Sequence, residues 1–345
     1  MSHLAQEIQE QPSVIQGFLN KENDNIAKIA TLIREFNPTY VLIAARGTSD
    51  NAARYAQYLM GIEAGLTVSL ATPSVHTLYG SNIKMDKALV IGVSQSGHSE
   101  DVRLIVTDAR EQGAITLGIT NDENSPLANE AEHHIYLHAG EEKSVAATKS
   151  YTAQLVAMAL LTIHMTQDEA KLAEIQNLPQ LLADTLVASE NMGQWVERYR
   201  YMERIALIGR GLNYSTAFEI ALKIKELCYI VGEEYSEADF RHGPIAIISQ
   251  GFPVMVVAPS GKTLPLMVDL LKKLNERGAE CIVFSDDASA CDLATNHVAL
   301  PANIPEWLSP VCAVIPGQLF AYHLASAKGH QIDAPRGLSK VTITR

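Results

Sequence analysis

Two stretches of the chain carry side chains whose types and spacing are suited to chemistry. The first is the sequence SQSG at 94–97, followed by Ser99, which comes directly after the apolar run 88–93 and opens a helical pattern. A buried strand that leads into a hydroxyl-rich turn and a helix N-terminus gathers backbone N–H groups, hydroxyl donors and the positive end of the helix dipole at one place. This stretch predicts a site for a phosphate-bearing ligand.

An N-capped turn without a ligand is the alternative for this stretch, because Ser is a common capping residue. Three hydroxyls and an amide within six residues exceed what capping needs. We therefore favour the ligand site.

The second stretch is a predicted helix within 212–244, which carries Glu219, Lys223 and Glu226 at i, i+4 and i+7. Side chains at this spacing reach one another on a helix. A solvated charged face is one interpretation. However, apolar residues also crowd this side of the helix, and a helix that is apolar nearly all round is buried. Buried carboxylates and lysines are usually paired or functional, and a carboxylate beside a lysine is a workable proton carrier.

Two isolated residues are weaker candidates. His242 lies in the turn sequence DFRHGP, where a histidine is most often an ordinary loop residue. Lys340 lies five residues from the C-terminus, where disorder is the default expectation. The β-branched run VTIT at 341–344 predicts a tail that docks as a strand and holds Lys340 as a Schiff-base amine.

Strands alternate with helices along the chain, and the strands are apolar throughout. This pattern is typical of a parallel sheet covered on both faces. In the first half we predict strands at 40–45, 67–70, 88–93, 114–119 and 134–137. Predicted helices are an N-terminal segment 1–36 interrupted at Pro12, a helix at 50–60 and a long apolar helix at 144–165. The helix over 212–228 is expected to be capped by Asn213 or Ser215.

The pattern of the first half recurs in the second half. Residues 45–56 align with 209–220, and SQSG at 94–97 aligns with APSG at 258–261, both at an offset of 164. Residues 113–122 fall on 278–287 with a one-residue slip. We predict an α/β protein of two tandem doubly wound, flavodoxin-like parallel-sheet domains related by internal duplication.

The two copies of the repeat differ at the predicted ligand site. The second copy has Ala258-Pro259 where the first has Ser94-Gln95, so it lacks a hydroxyl, an amide and one backbone N–H. We expect phosphate to bind in the first copy.

We divide the chain into five parts. They are an N-terminal helical segment 1–36, a phosphate-binding domain 37–166, a helical connector 167–200, a second domain 201–330 and a C-terminal tail 331–345.

Composition restricts the function classes. The chain of 345 residues has a formal net charge of −12, which argues against nucleic acid or an anionic membrane as the main partner. Its four cysteines form no CxxC pair, have no metal-ligand spacing and are expected to be reduced core thiols. The N-terminus is too acidic for a signal peptide, and Leu155–Met165, the longest apolar stretch, is too short to span a bilayer. We expect a globular cytoplasmic protein without metal or cofactor.

Taken together, the motifs resemble the sugar isomerase (SIS) module of glutamine–fructose-6-phosphate aminotransferase, also called glucosamine-6-phosphate synthase. The similarity begins at QEIQEQPSVIQGFL and covers the whole chain. It continues in order through RGTS, SQSG, SVAATKSYTAQL, ALKIKE, RHGP and PRGLSK. One such motif would be weak, but six in the right order are highly specific.

The resemblance implies a role for particular positions. Glu226 matches the carboxylate that moves a proton between C1 and C2, with Lys223 as its neighbour. His242 matches a ring-opening histidine that reaches the site from the partner subunit, which implies a homodimer. Lys340 matches the lysine that forms an imine with the ketose. The residues that match the sugar-phosphate cradle and its surroundings are Ser94, Gln95, Ser96, Ser99, Gly47, Thr48, Ser49 and the Val145 backbone.

The sequence departs from the family's pattern at several points. Arg46 stands where the synthases carry a cysteine, Ser99 replaces a threonine and Ala147 replaces a serine. We expect no glutaminase domain with its nucleophilic cysteine before the module, since position 2 is Ser and no Cys occurs before Cys228. We therefore expect this chain alone not to obtain ammonia from glutamine.

These features predict an aldose–ketose isomerase that acts on a hexosamine 6-phosphate. The favoured net reaction is glucosamine 6-phosphate plus water giving fructose 6-phosphate plus ammonia. Three other enzymes would share the site: a deglycase for amino-acid adducts of sugar phosphates, a plain phosphosugar isomerase, and a synthase that uses free ammonia or a separate glutaminase subunit. A sugar-phosphate sensor would require an attached DNA-binding segment, for which residues 1–36 are too acidic and short.

Overall fold

The computed structural model describes residues 2–340, which form two compact units. The predicted strand at 341–344 lies outside the described residues. The first unit comprises Ser13–Glu142, Lys149–Asn177 and 339–340, and the second comprises 2–12, Lys143–Thr148 and Leu178–Leu338.

The first unit contains a sheet of five parallel strands. They are β1 (Tyr40–Ala44), β2 (Val68–Leu70), β3 (Ala88–Ser94), β4 (Ile115–Thr120) and β5 (His133–Tyr136). Their spatial order is β2-β1-β3-β4-β5, the flavodoxin-like order, in which the direction of winding reverses between β1 and β3. All seven residues of β3 are buried, which explains why it is apolar rather than alternating.

The second unit contains another five-stranded parallel sheet. Its strands are β6 (Arg204–Gly209), β7 (Val231–Ser236), β8 (Pro253–Val257), β9 (Glu280–Ser285) and β10 (Asn296–Ala299). The order β10-β9-β8-β6-β7 is the same flavodoxin-like order when each sheet is counted from its own first strand. The aligned glycines Gly47 and Gly211 both take left-handed backbone angles, with φ of 54° and 60°. The predicted fold class and the internal duplication are confirmed.

Fifteen α-helices are present in residues 2–340. In the first half they are α1 (His3–Gln9), α2 (Gln11–Phe36), α3 (Thr48–Ala64), α4 (Ser74–Thr77), α5 (Glu100–Glu111), α6 (Pro126–Glu130) and α7 (Lys149–Thr166). The others are α8 (Glu169–Glu174), α9 (Leu178–Ala188), α10 (Met192–Val196), α11 (Tyr214–Cys228), α12 (Glu237–Arg241), α13 (Leu264–Glu276), α14 (Ala288–Cys291) and α15 (Ser309–Ala327).

Two predicted helix boundaries were wrong. The N-terminal segment breaks at Glu10 rather than at Pro12, because a proline in the first turn of α2 interrupts no helical hydrogen bond. The long apolar helix begins at Lys149 rather than at residue 144. The Glu142 carboxylate accepts hydrogen bonds from the Ser150 N–H and hydroxyl, at 3.1 and 2.7 Å, and so satisfies the first turn of α7.

The most apolar helix lies near the C-terminus, so the expectation that Leu155–Met165 is the longest apolar stretch was also wrong. The segment Glu306–Ala327 is long and apolar enough to cross a membrane, but 89% of the apolar window within it is buried in the protein. It contains α15, which packs against α11. We therefore interpret it as a core helix.

Two helical glycines provide a matched test of this packing. A Cβ at Gly317 in α15 would lie 2.3 Å from Ile220 Cγ1 of α11, whereas a Cβ at Gly17 in α2 would meet nothing within 4 Å. We expect Gly317→Ala to lower the free energy of unfolding by about 1–3 kcal/mol. Gly17→Ala should raise it by about 0.5–1 kcal/mol, through helix propensity alone. Urea unfolding measures both, and equal effects of the two substitutions would contradict the close α11–α15 contact.

Candidate active site

The turn after β3 brings the predicted phosphate-binding hydroxyls together. Ser94, at the end of the strand, is buried, and its Oγ lies 3.2 Å from the Oγ of Ser99. The Gly97 N–H donates to Ser94 Oγ at 3.1 Å, and the His98 N–H donates to Ser96 Oγ at 3.3 Å. The turn is therefore closed by its own side chains into a compact group of hydroxyls.

Simple helix capping does not explain this turn. Ser99 occupies the N-cap position of α5, but its side chain makes no capping hydrogen bond and faces Ser94 instead. The Ser96 N–H has no intramolecular acceptor among residues 2–340. A hydroxyl pair and an unused N–H donor beside a helix N-terminus suit an anion.

The corresponding turn of the second unit is occupied by the protein itself. The Ser260 N–H donates to Asp286 Oδ1 at 2.6 Å, and the Lys262 N–H donates to Glu306 Oε1 at 2.8 Å. Ser260 aligns with Ser96 in the repeat. Two carboxylates thus take the place that an anionic ligand would occupy, and only the first unit keeps the position open.

The loop after β1 lies beside this turn, because β1 and β3 are neighbouring parallel strands with Ala44 opposite Gly92. Gly47 is the N-cap residue of α3, and Thr48 is its first residue. Ser49 is buried, and its Oγ accepts a hydrogen bond from Gln154 Nε2 at 3.0 Å. In open α/β sheets, ligands bind at this reversal of winding.

Gln95 contributes its backbone to the same turn. Its carbonyl oxygen accepts the N–H of Asn121, which follows β4, at 2.9 Å. The side chain is partly exposed at the carboxyl edge of the sheet.

The charged cluster of the second unit lies on α11. Lys223 is only 1% exposed, and its Nζ lies 3.4 Å from Glu219 Oε1 and 2.6 Å from Glu226 Oε2. Glu219 is fully buried, whereas the side chain of Glu226 is 22% exposed. The solvated-face interpretation is therefore wrong for this cluster. Its geometry leaves one carboxylate within reach of a ligand and holds it with a buried ammonium.

Neither residue predicted to cap α11 does so. Asn213 stands at the N-cap position without a side-chain capping bond; its amide donates to Ser309 Oγ at 2.8 Å. The Ser215 hydroxyl donates to the Leu212 carbonyl. The side chains at this end of the helix are engaged in tertiary contacts instead.

His242 ends the short helix α12 and is exposed. Its backbone N–H donates to the Asp239 carbonyl at 3.1 Å. The imidazole makes no hydrogen bond within residues 2–340, so the structure does not join it to the α11 cluster of the same chain.

Lys340 falls in the first unit, where its Nζ lies 3.1 Å from Glu142 Oε2. Its side chain is 28% exposed, whereas that of Glu142 is fully buried. Glu142 also accepts hydrogen bonds from Ser150 in the first turn of α7, so the same carboxylate caps this helix and pairs with the lysine. The sequence analysis missed Glu142, since nothing in its periodicity or neighbours marks a polar pair 198 residues apart.

Val145 falls in the second unit, in the loop Lys143–Thr148. Its N–H donates to the Asp333 carbonyl at 3.3 Å, so this backbone donor is already engaged. The buried Glu7 of α1 accepts the N–H groups of Lys143 and Ser144. The N-terminal helix therefore fixes the start of this loop, a role that the sequence analysis also missed.

No group of three or more His, Cys, Asp or Glu side chains within residues 2–340 could hold a metal ion. The four cysteines form no disulfide, and burial raises the pKa of the Cys228, Cys281 and Cys312 thiols to about 12. These three thiols are poor nucleophiles at neutral pH.

The buried charge cluster can be tested through stability. Lys223→Met removes the ammonium from the fully buried Glu219, and breaking such a pair costs about 3–5 kcal/mol of unfolding free energy. The double variant Glu219→Gln/Lys223→Met removes both charges and should recover part of this loss. Chemical denaturation distinguishes the two variants. A loss below about 1 kcal/mol in Lys223→Met would contradict a buried ion pair.

Comparison with known proteins agrees with this architecture. The SIS domain model matches residues 37–164 and 199–328. Glutamine–fructose-6-phosphate aminotransferase [isomerizing] of Pyrococcus horikoshii is 34% identical over 345 residues, which are 98% of this chain and 57% of that protein. The same enzyme of Aquifex aeolicus is also 34% identical, over 99% of this chain and 57% of that protein. The chain therefore spans little more than half the length of the curated relatives it matches.

Two solved structures are similar along nearly their whole length. The C-terminal domain of glucosamine-fructose-6-phosphate aminotransferase from Francisella tularensis is 29% identical, with a TM-score of 0.87, and the match covers 97% of this chain and 98% of that one. A protein of Silicibacter pomeroyi, assigned provisionally as a phosphosugar isomerase, is 31% identical, with a TM-score of 0.86, over 96% and 99% of the two chains. Because the family model matches both halves, the chain belongs to the SIS domain family and consists of two tandem SIS domains homologous to the isomerase domain of glutamine–fructose-6-phosphate aminotransferase.

Proposed function

We propose that this chain is an aldose–ketose isomerase and deaminase that converts a hexosamine 6-phosphate and water into fructose 6-phosphate and ammonia. Homology to the aminotransferase isomerase domain supports a phosphosugar isomerase. The observation that carries the finer proposal is the α11 cluster, in which a reachable Glu226 carboxylate is held by a buried lysine.

Substrate binding falls to the turn after β3. The hydroxyls of Ser94, Ser96 and Ser99 and the N-terminus of α5 receive the 6-phosphate, with Gln95 and the loop Gly47–Ser49 beside them. The open Ser96 N–H supports this assignment, because the equivalent donor of the second unit is filled by Asp286.

Proton transfer falls to Glu226. In the open-chain aldehyde, its carboxylate removes the proton from C2 to give an enolamine and returns it to C1, which leaves an imine at C2. The Lys223 ammonium, 2.6 Å from Glu226 Oε2, fixes the carboxylate and stabilises its negative charge before the proton is taken up and after it is returned.

The C2 imine is then hydrolysed. We propose that Lys340 passes a proton to Glu142, that its amine then attacks C2 and displaces ammonia, and that water afterwards cleaves the lysine imine to release the ketose. The ion pair with Glu142 supports this role by holding a half-buried amine near the C-terminus, where a free tail would not be positioned.

We assign ring opening to His242 of a second subunit, which makes the functional form a homodimer. The exposed imidazole, which makes no hydrogen bond within the described residues 2–340, supports this assignment. The four unpaired cysteines support a cytoplasmic location.

Ammonia release from glucosamine 6-phosphate tests the proposed reaction. With no ammonia supplied, even a reversible site runs net towards fructose 6-phosphate. We expect Glu226→Gln to lower kcat by about 10²–10⁴-fold, because general-base catalysis is lost while the side chain keeps its shape. A coupled glutamate dehydrogenase assay measures the ammonia.

Glu234→Gln is the matched control for this substitution. Glu234 has the same 22% exposure and also pairs with one lysine, Lys225 at 2.9 Å, but it lies on β7. The Glu234→Gln variant should release ammonia at the wild-type rate. Lys340→Arg keeps the charge opposite Glu142 but forms no imine, and should be as impaired as Glu226→Gln. No turnover in the wild type, or full turnover in Glu226→Gln, refutes the proposed reaction.

Subunit complementation tests the assignment of His242. Mixing inactive Glu226→Gln and His242→Ala proteins should restore about a quarter of wild-type activity, since random exchange makes half of the dimers hybrid and each hybrid has one intact site of two. Native mass spectrometry verifies the exchange. Hybrids that form without recovering activity would show that His242 does not act across the interface.

A further inference from the structure

Arg46 lies two residues after β1, in the loop that precedes α3. Its Nε donates to Asp101 Oδ2 at 2.6 Å, and the Asp101 side chain is fully buried, whereas that of Arg46 is 48% exposed. The other Asp101 oxygen accepts the Val102 N–H at 2.9 Å. A buried carboxylate on the first turn of α5 therefore anchors a guanidinium that remains open to solvent.

This anchor places the guanidinium beside the phosphate-binding turn. Asp101 is two residues beyond Ser99, the N-cap of α5, whose hydroxyl meets that of Ser94. The loop after β1 and the turn after β3 flank the reversal of winding in this sheet.

The remaining donors of Arg46 are unused. Its Nη1 and Nη2 carry four N–H groups and make no hydrogen bond within residues 2–340. A guanidinium presents paired donors that match two phosphate oxygens. With Nε fixed, the two Nη atoms are the part available to an anion.

Charge gives a reason for a cation at this place. The first turn of α5 carries two acidic residues, Glu100 and Asp101, and the chain has a net charge of −12. Both oppose a phosphate dianion, and hydroxyls and backbone donors bring no compensating full charge. The Arg46 guanidinium offsets the charge of Asp101, so the pair presents N–H donors at the turn without a net negative charge.

We infer that Arg46 is a phosphate-binding residue that sets the preference of this site for phosphorylated over neutral sugars, and that Asp101 positions it. The inference rests on the proposed function for the identity of the sugar. It differs from a purely structural ion pair in requiring the Nη atoms of Arg46 to contact the ligand.

Calorimetric titration of the full chain with inorganic phosphate and with fructose 6-phosphate tests this inference. We expect Arg46→Gln to weaken both affinities by about 10- to 100-fold, the contribution of charge-assisted hydrogen bonds. Arg46→Lys keeps the charge without the paired donors, so its affinities should lie between those of the wild type and those of Arg46→Gln. With glucosamine 6-phosphate, KM should rise in Arg46→Gln while kcat stays within about threefold, and the low rate with unphosphorylated glucosamine should not change.

Two further variants separate binding from folding. Arg46→Gln/Asp101→Asn leaves no unpaired buried carboxylate and should remain as weak a phosphate binder as the single variant. Arg103→Ala, on the same helix, removes a guanidinium that is already bound to Glu130 and should bind as the wild type does. Wild-type affinity in both Arg46→Gln variants overturns the inference.

The outcome also distinguishes this inference from the proposed reaction. Phosphate binding that depends on Arg46 in a protein without turnover would retain the anion site and refute the reaction. Turnover and phosphate binding that do not change in the Arg46 variants would retain the reaction and refute the role of Arg46. A wild-type protein that binds neither phosphate nor fructose 6-phosphate overturns both.

Discussion

The buried ammonium of Lys223 is the constraint on which the charged cluster of the second unit depends. Removing a charge from water is costly, and the cost is offset only by close opposite charges. Glu219 and Glu226 supply them on successive turns of one helix. Because Glu219 is fully buried and Glu226 is not, the lysine is enclosed on one side and leaves a single carboxylate accessible on the other.

Such a cluster requires a rigid and tightly packed helix. The apolar face of α11 packs against β6 and β7 of its sheet and against α15, where Gly317 lets the backbone approach Ile220 closely. A looser helix would admit water and weaken the lysine–carboxylate pairing that positions Glu226. The composition of α15, which resembles a membrane span, thus follows from its position in the core.

Duplication of one fold has given two equivalent turns that differ in their hydrogen bonding. Both sheets have the same order, and the turn after the third strand of each offers backbone donors at a helix N-terminus. In the second unit, Asp286 and Glu306 satisfy those donors, which removes the capacity to bind an anion. In the first unit the Ser96 N–H remains open, and Ser94 and Gln95 add a hydroxyl and an amide where the second unit has Ala258 and Pro259. The same backbone turn is therefore closed by carboxylates in one copy and keeps an open donor in the other.

Local patterns allowed the fold class, the duplication and the spacing of the α11 cluster to be predicted, because each depends on periodicity over a few turns. Contacts between distant segments could not be predicted this way. The sequence marks Lys340 but not Glu142, and Arg46 but not its bond to Asp101, since each pair is joined only by the fold. The prediction that Asn213 caps α11 failed for the same reason, because its side chain donates to Ser309, which is distant in sequence.

The chain termini show how these distant contacts hold the segment between residues 142 and 150. In the first unit, Glu142 joins Lys340 to the start of α7. In the second unit, Glu7 accepts N–H groups at the start of the loop that contains Val145, and Asp333 accepts the Val145 N–H and caps α1 through its carboxylate. Backbone groups in such a loop need fixed acceptors, which the termini supply here. The terminal segments are therefore structural supports of the functional loops, and their loss should impair residues that are distant in sequence.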